Sequence, residues 1–254
     1  MDYVALGKSN LLVSCTAFGA MSLDETDGAE ATAALVKQAY EGGVNFFDTA
    51  RSASESERRL GEALKDWRSD VFIATKTGAC TADELERDLA ESLAALQTDY
   101  IDLYQLENSA ALPQFGANDG IVNKLLALKD QGVIRHFGLM TEDMAVARAL
   151  LDSDLPWETL QYPFNMLCGE AEEALVKDAA EKDIGFIAMR PLCGGILTNI
   201  PLALGYLHQF ENVVPVWGLS SAENLQQILY FTDNPPVIDD QFNEEAKKIR
   251  EFFN

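Results

Sequence analysis

GVNFFDTARSASESERRLGEAL, residues 43–64, places a short and mostly apolar run directly before a segment with helical spacing. The run Val44–Asp48 is typical of a strand with both faces covered. We expect a helix to begin at Ser54 or Ser56, with Glu57 in its first turn as a capping partner. The stretch therefore predicts one β-strand, a polar turn and one α-helix.

The same unit recurs along the chain. We predict eight strands, at Cys15–Gly19, Val44–Asp48, Val71–Lys76, Tyr100–Leu106, Val133–Leu139, Thr159–Gln161, Ile184–Met189 and Val213–Trp217. Amphipathic segments such as Glu30–Tyr40 and Ala82–Leu96 separate them. Eight such units in 254 residues predict a closed (β/α)8 TIM barrel. An open doubly wound sheet would need a Gly-rich phosphate turn, and the GxGxxG motif is absent.

Two segments lie outside the eight units. Tyr3–Ser14 predicts a β-hairpin with its turn at residues 7–10, which we expect to plug the bottom of the barrel. A helix is predicted from about Asp239, lying across the outside. The sequence contains no internal repeat, linker or low-complexity tract, so we expect residues 1–254 to form a single barrel domain.

Composition excludes several classes of partner. The chain has 41 acidic and 19 basic residues, a formal net charge of −22, and such a field repels nucleic acid and anionic membranes. No apolar run approaches the ~20 residues of a membrane span, and no signal-peptide pattern opens the chain, so we expect a cytoplasmic protein. The four cysteines form no CxxC pair, which argues against a metal site.

Three ionisable residues end consecutive predicted strands: Asp48, Lys76 and Glu107. The carboxyl ends of the strands carry the reactive residues of an α/β barrel. A lysine there needs a carboxylate, and Asp48 lies one strand away at the same level, so we predict a buried Asp48–Lys76 ion pair. A charge network that only closes the barrel top is the alternative to a functional site. We expect His136 and His208 to be structural.

Residues 43–64, followed by VFIATKT, DYIDLYQL, GVIRHFGL, LQYPFN and IAMRPLCGG in this order, resemble the aldo-keto reductase family over essentially the whole barrel. The resemblance implies an Asp–Lys pair that activates a Tyr, which protonates the substrate oxygen while NAD(P)H delivers hydride to the carbonyl carbon. A His orients the carbonyl. By this resemblance the Asp is Asp48 and the Lys is Lys76, but the Tyr position holds Ala53 and the His position holds Glu107.

The missing tyrosine leaves the proton source open. Hydride delivery to a carbonyl makes an alkoxide, which needs a proton and a stabilising donor. Ala53 supplies neither, and a water in the space it leaves could relay a proton from Lys76. Partial burial near a second carboxylate could instead keep Glu107 protonated near neutrality. The resemblance includes members with Glu at the His position that reduce enones, although these keep the Tyr.

The resemblance also places a cofactor, NADPH or NADH, in the loops at the barrel top. Gln161 matches the residue that holds the nicotinamide carboxamide, and Met140–Thr141 replaces a Ser–Asn pair that assists it. The helix N-terminus after residues 218–221 suits a phosphate, with simple N-capping as the alternative. The implied cofactor-binding residues are Ala20, Met21, Asp48, Met140, Thr141, Gln161, Arg190, Pro191, Leu192, Gly194, Gly218, Leu219, Ser220 and Ser221. Arg190 is expected to supply positive charge, and no basic residue for a 2′-phosphate is evident.

Three functions are compatible with these residues. The first is an NAD(P)H-dependent reductase of a small-molecule carbonyl or conjugated enone, with activity weakened or altered by the missing Tyr. The second is a cofactor- or ligand-binding barrel without turnover, and the third is an engineered active-site variant. The resemblance implies a monomer. The loop 108–119, which includes Asn108, is expected to cover the substrate side, with Phe115 as an apolar wall.

Overall fold

Parallel strands close into a barrel in the computed structural model, which describes residues 1–26, 28–107, 110–114 and 116–253, and only the backbone of residues 24 and 25. The strands are β1 (Tyr3–Ala5), β2 (Leu12–Ser14), β3 (Ala17–Gly19), β4 (Phe46–Asp48), β5 (Phe72–Thr77), β6 (Ile101–Glu107), β7 (Ile134–Met140), β8 (Thr159–Pro163), β9 (Gly185–Met189) and β10 (Val213–Gly218). Around the barrel the order is β10-β3-β4-β5-β6-β7-β8-β9. The predicted TIM barrel is confirmed, and the predicted strand ends shift by one or two residues.

Helices follow the barrel strands and cover the outside of the barrel. They are α1 (Ala29–Glu41), α2 (Ser54–Leu64), α3 (Ala82–Leu96), α4 (Ile121–Asp130), α5 (Met144–Leu151), α6 (Glu170–Glu181), α7 (Ile200–Leu207), α8 (Ala222–Asp233) and α9 (Asp240–Phe253). The predicted C-terminal helix is therefore present, and Arg250 attaches it to the barrel by donating to Met166 O at 2.5 Å and to Glu173 Oε1 at 3.0 Å. Among the described residues, no helix combines the length and apolar character that crossing a bilayer requires.

The N-terminal hairpin packs against the bottom of the barrel. β1 and β2 pair antiparallel, and the turn between them is a 3-10 helix at Gly7–Ser9. Gly7 has a φ of +52°, and a Cβ there would lie 2.2 Å from Gly185 N, so the close approach of the turn to β9 requires glycine. The hairpin residues Leu6, Leu11 and Val13 share one apolar cluster with inward-facing barrel residues. The predicted plug is confirmed.

Strand residues alternate between the barrel interior and the helix layer. The lower interior is apolar and contains Ala17, Phe46, Ala74, Leu103, Ile187, Val214 and Val216. Towards the carboxyl ends of the strands the buried residues become polar: Asp48, Lys76, Gln105 and Gln161. The barrel thus presents an isolated group of polar side chains on an apolar base.

Glu158 holds a second buried charge, near the amino end of β8. It accepts from Lys129 Nζ at 2.7 Å and from Phe137 N at 3.1 Å, and His136 Nδ1 lies 2.7 Å from its Oε1. Burial opposes the charge, but these hydrogen bonds outweigh burial and lower the pKa of Glu158. The contact with Glu158 gives His136 a structural role, as predicted.

We predict that Glu158 makes the folded state acid-sensitive. Because its pKa is lower in the folded chain, its contribution to stability is present above its ordinary pKa of 4.5 and is lost as the pH falls through the folded value. Urea unfolding of the wild type and Glu158→Gln between neutral pH and pH ~3 measures this. The wild type should lose more stability than the variant below pH ~4.5, and parallel curves would contradict the assignment.

A second prediction concerns the contact between β7 and β8. A Cβ on Gly138 would lie 1.9 Å from Thr159 Oγ1 and 2.8 Å from Thr159 O. Gly138→Ala should therefore cost about 1–3 kcal/mol of unfolding free energy through overpacking. Gly78→Ala is the matched control, since a Cβ at Gly78 meets nothing within 4 Å. Equal urea midpoints for the two variants would contradict the contact.

Candidate active site

The centre of the site is an ion pair between the ends of β4 and β5. Asp48 and Lys76 are 3% and 1% exposed. Lys76 Nζ donates to both carboxylate oxygens of Asp48 and to Thr49 O, each at 2.7 Å. An ammonium group is a donor without acceptor capacity, and these three oxygens supply its acceptors within the protein. The predicted buried ion pair is confirmed.

Two glutamines extend this pair across the barrel. Gln161 Nε2 donates to Asp48 Oδ2 at 3.3 Å, and Gln105 Nε2 donates to Gln161 Oε1 at 2.8 Å. We call Asp48, Lys76, Gln161 and Gln105 the polar floor. Gln105 was not singled out from the sequence, and the available signal was an amide in the middle of the apolar strand YIDLYQL.

The turn after β4 is fastened to its neighbours by hydroxyl groups. Residues 51–53 form a 3-10 turn, and α2 begins at Ser54, as predicted. Ser56 Oγ donates to Ala20 O at 2.6 Å and lies 2.8 Å from Thr49 Oγ1. The turn that carries Ala53 is therefore held against the end of β3.

The predicted capping role of Glu57 is wrong. The N-terminus of α2 has no side-chain cap. Glu57 is fully buried on the inner face of the helix, where it accepts from Thr75 Oγ1 at 2.7 Å and pairs with Arg51. Arg51 also contacts Glu91 at 3.2 Å. The outer face of β5 thus offers Glu57 a buried hydroxyl, and Arg51 supplies the charge that makes its burial possible.

The turn that carries Ala53 contacts Glu107 through the neighbouring residue, Ser52. Ser52 Oγ, one residue from Ala53, donates to Glu107 Oε1 at 3.5 Å. The other oxygen, Glu107 Oε2, is buried and has no hydrogen-bond partner among the residues that the structure describes. Met140 pairs in register with Glu107 on the next strand. We call Ser52, Ala53, Glu107 and Met140 the mouth of the site.

No tyrosine from elsewhere replaces the missing acid. Tyr104 and Tyr162 belong to the apolar cluster beneath the helices, and burial raises the pKa of both. The other tyrosines lie on the hairpin, on outer helices or before β6: Tyr3, Tyr40, Tyr100, Tyr206 and Tyr230. All seven are described, so the mouth contains no tyrosine. His208 follows α7, where burial lowers its pKa.

The residues predicted for a nicotinamide clamp lie around Gln161. Met140 pairs in register with Gln161, and Thr141 N donates to Gln161 O at 3.1 Å. Thr141 Oγ1 accepts from Asp143 N at 3.1 Å and is buried. The Thr141 hydroxyl therefore already serves the turn that begins α5.

The predicted cation, Arg190, has an acidic partner. Its guanidinium donates to both carboxylate oxygens of Glu142, at 2.9 and 2.6 Å. Arg190 has a φ of +56°, an uncommon conformation for a residue with a Cβ, and Asn165 Nδ2 donates to its carbonyl at 3.1 Å. Pro191, Leu192 and Gly194 follow in the same loop, between β9 and α7.

The remaining predicted residues meet where β3 and β10 pair. Gly218 lies opposite Gly19, and Leu219 N approaches Gly19 O at 3.4 Å, so residues 218–221 adjoin Ala20 and Met21. Ser221 Oγ accepts from Asn224 N at 3.2 Å and caps α8, as the N-capping alternative anticipates. Asn108 and Phe115 lie outside the described residues.

Comparisons of the sequence with known proteins agree on one family. A model of the aldo/keto reductase family matches residues 17–202. L-galactose dehydrogenase of Arabidopsis thaliana is 32% identical over 216 residues, covering 77% of this chain and 66% of the relative. An uncharacterized oxidoreductase of Bacillus subtilis is 30% identical over 214 residues, covering 78% and 67%. The chain thus spans about two thirds of the length of the curated relatives it matches.

Solved structures show the same fold at lower identity. The holo form of an aldo-keto reductase from Bacillus halodurans superimposes with a TM-score of 0.82 at 24% identity, covering 98% of this chain and 96% of that one. An aldo-keto reductase from Klebsiella pneumoniae in complex with NADPH gives a TM-score of 0.84 at 20% identity, covering 98% and 95%. With the family model matching most of the barrel, this chain belongs to the aldo-keto reductase family.

Proposed function

We propose that this chain is an NAD(P)H-dependent oxidoreductase in which residues 1–254 act as one barrel and reduce a small carbonyl compound or conjugated enone. The observation that carries the proposal is the polar floor, where the Asp48–Lys76 pair is bonded to Gln161 at the carboxyl ends of the strands. Membership of the family and the NADPH bound by the Klebsiella pneumoniae relative support the same cofactor chemistry.

The polar floor fits a carboxamide group. Gln105 Oε1 is buried and has no partner among the described residues, which leaves an acceptor without a donor. Gln161 also keeps one amide N–H and one lone pair beyond its bonds to Asp48 and Gln105. These two glutamines would hold the carboxamide of a nicotinamide ring. NADPH or NADH, when bound, supplies the hydride.

The phosphate side is built from three loops. Residues 218–221 precede α8, whose N-terminus attracts anions. Arg190 would neutralise a phosphate after leaving Glu142, while Ala20 and Met21 line the adjoining loop. With a net charge of −22 the whole chain disfavours anions, so these local groups would have to compensate.

The mouth lowers the rate of carbonyl reduction. An alkoxide needs a proton at the moment it forms. Ala53 has no hydroxyl, and the acceptors that surround Lys76 Nζ belong to Asp48 and Thr49 beneath the mouth. The polar floor would therefore bind the cofactor and orient the acceptor, while the mouth contributes little acid catalysis to a carbonyl.

The first prediction of this proposal is cofactor binding. Titration with NADPH and NADH, followed by tryptophan fluorescence and calorimetry, should give a micromolar Kd for at least one of them. Gln161→Leu should weaken that binding at least ~10-fold, since an amide partner of the ring is removed and Asp48 loses a donor. Absence of binding at millimolar concentrations of both cofactors would overturn the proposal.

The second prediction concerns a variant that restores a general acid to the site. Ala53→Tyr should raise kcat/KM for a simple aldehyde such as 4-nitrobenzaldehyde by about 10²- to 10⁴-fold, the usual contribution of a general acid. Ala53→Phe is the matched control, because it fills the same space without the hydroxyl. Equal rates for the two variants would show that the polar floor does not support proton transfer at this position.

A further inference from the structure

The mouth contains a carboxylate, Glu107, but no side chain that can act as an acid in place of the missing tyrosine. In the polar floor beneath it, the hydrogen bonds of Lys76 go to Asp48 and Thr49 and not to a group in the mouth. Ser52 carries a hydroxyl, but it donates to Glu107, and a hydroxyl is a very weak acid. Within the described residues the mouth therefore lacks an effective proton donor.

The same place holds a carboxylate without a counterion. Glu107 Oε2 is buried with no partner in the described part of the chain. The cations closest in the chain to the mouth are committed elsewhere: Lys76 to Asp48, and Arg51 to Glu57 and Glu91. Glu107 as a whole is half-buried, but this one oxygen is desolvated without a hydrogen-bond donor. A cationic ligand seated there would supply a partner for this oxygen.

We propose that the acceptor reduced at this site is a cationic iminium compound, a cyclic or N-alkylated C=N⁺ group seated against Glu107. This deepens the proposed function and rests on it. An iminium carbon is electrophilic before it reaches the protein, so its reduction needs no acid from the mouth. The net charge of −22 favours the approach of a cation.

Reduction of an iminium group by hydride balances without the transfer of a proton. The iminium carbon accepts hydride: a C–H bond forms there while a C–H bond at C4 of the reduced nicotinamide breaks. The C=N π pair becomes the lone pair of a neutral amine. Positive charge passes from the acceptor to the oxidised cofactor. Reduction of a ketone at the same place creates an alkoxide beside the Glu107 carboxylate, without a donor, which is electrostatically unfavourable.

The test compares two acceptors of one shape. N-methyl-3,4-dihydroisoquinolinium is a permanently charged iminium, and 1-tetralone is a neutral bicyclic ketone of similar size. NADPH and NADH oxidation by the whole chain is followed with each, after subtraction of the rate without protein. We expect kcat/KM for the iminium to exceed that for the ketone at least ~100-fold.

The variants assign the effect to Glu107. Glu107→Gln should lower kcat/KM for the iminium about 10- to 100-fold, because an opposed charge is removed. Glu244→Gln, on the exposed face of α9, makes the same charge change far from the mouth and should lower it less than ~2-fold. Thermal melting confirms that Glu107→Gln is folded. In the Ala53→Tyr variant the ratio of kcat/KM for the iminium to kcat/KM for the ketone should fall, because the restored acid speeds ketone reduction.

The outcomes separate the two proposals. Turnover of 1-tetralone as fast as the iminium, or an iminium rate that Glu107→Gln leaves intact, overturns the iminium assignment while the reductase stands. Absence of cofactor binding at millimolar NADPH and NADH overturns the proposed function itself. A preference for the iminium that depends on Glu107 supports the inference.

Discussion

The ion pair between Asp48 and Lys76 is the constraint on which the rest of the site depends. A lysine on the inner face of a closed barrel is cut off from water, so its charge persists only if the protein supplies the acceptors. Asp48 and Thr49 do so from the neighbouring strand at 2.7 Å. That geometry requires β4 and β5 to lie in register, and it orders Gln161 and then Gln105 around Asp48. The polar floor is thus a consequence of one desolvated charge.

The same hydrogen bonds that stabilise the charge of Lys76 restrict the chemistry above it. An ammonium group bonded to a carboxylate and a carbonyl beneath the mouth is a poor source of protons for it, and Ala53 adds none. What the mouth does offer is Glu107, with a buried oxygen that has no hydrogen-bond partner among the described residues. A site with a hydride-donor position, an unpaired carboxylate and no acid favours an acceptor that brings its own positive charge. In the proposed function the fold positions the hydride donor, and the residues of the mouth select the acceptor.

The sequence predicts those features that arise from the strand pattern. The barrel, the hairpin and the Asp48–Lys76 pair follow from apolar runs and from the position of two residues at strand ends. The role of Gln105 could not be predicted, because an amide within a strand does not indicate its partner. That partner, Gln161, is 56 residues away in the sequence. Glu57 was misassigned since local spacing resembles a capping box, whereas its partner Thr75 lies on another strand. Arg190 likewise finds Glu142 across two loops, 48 residues away. Contacts between distant side chains are fixed by the closed barrel and have no local signal.

The most direct test is the hydrogen exchange of the Lys76 ammonium group, measured by NMR on protein with ¹⁵N-labelled lysine side chains and assigned with Lys76→Met. We predict one ammonium signal that exchanges with water far more slowly than those of surface lysines such as Lys247, and that is lost in the variant. Exchange as fast as at the surface would contradict this prediction, because Lys76 would then have a hydrogen available for the mouth, and the need for an acceptor with its own charge would disappear.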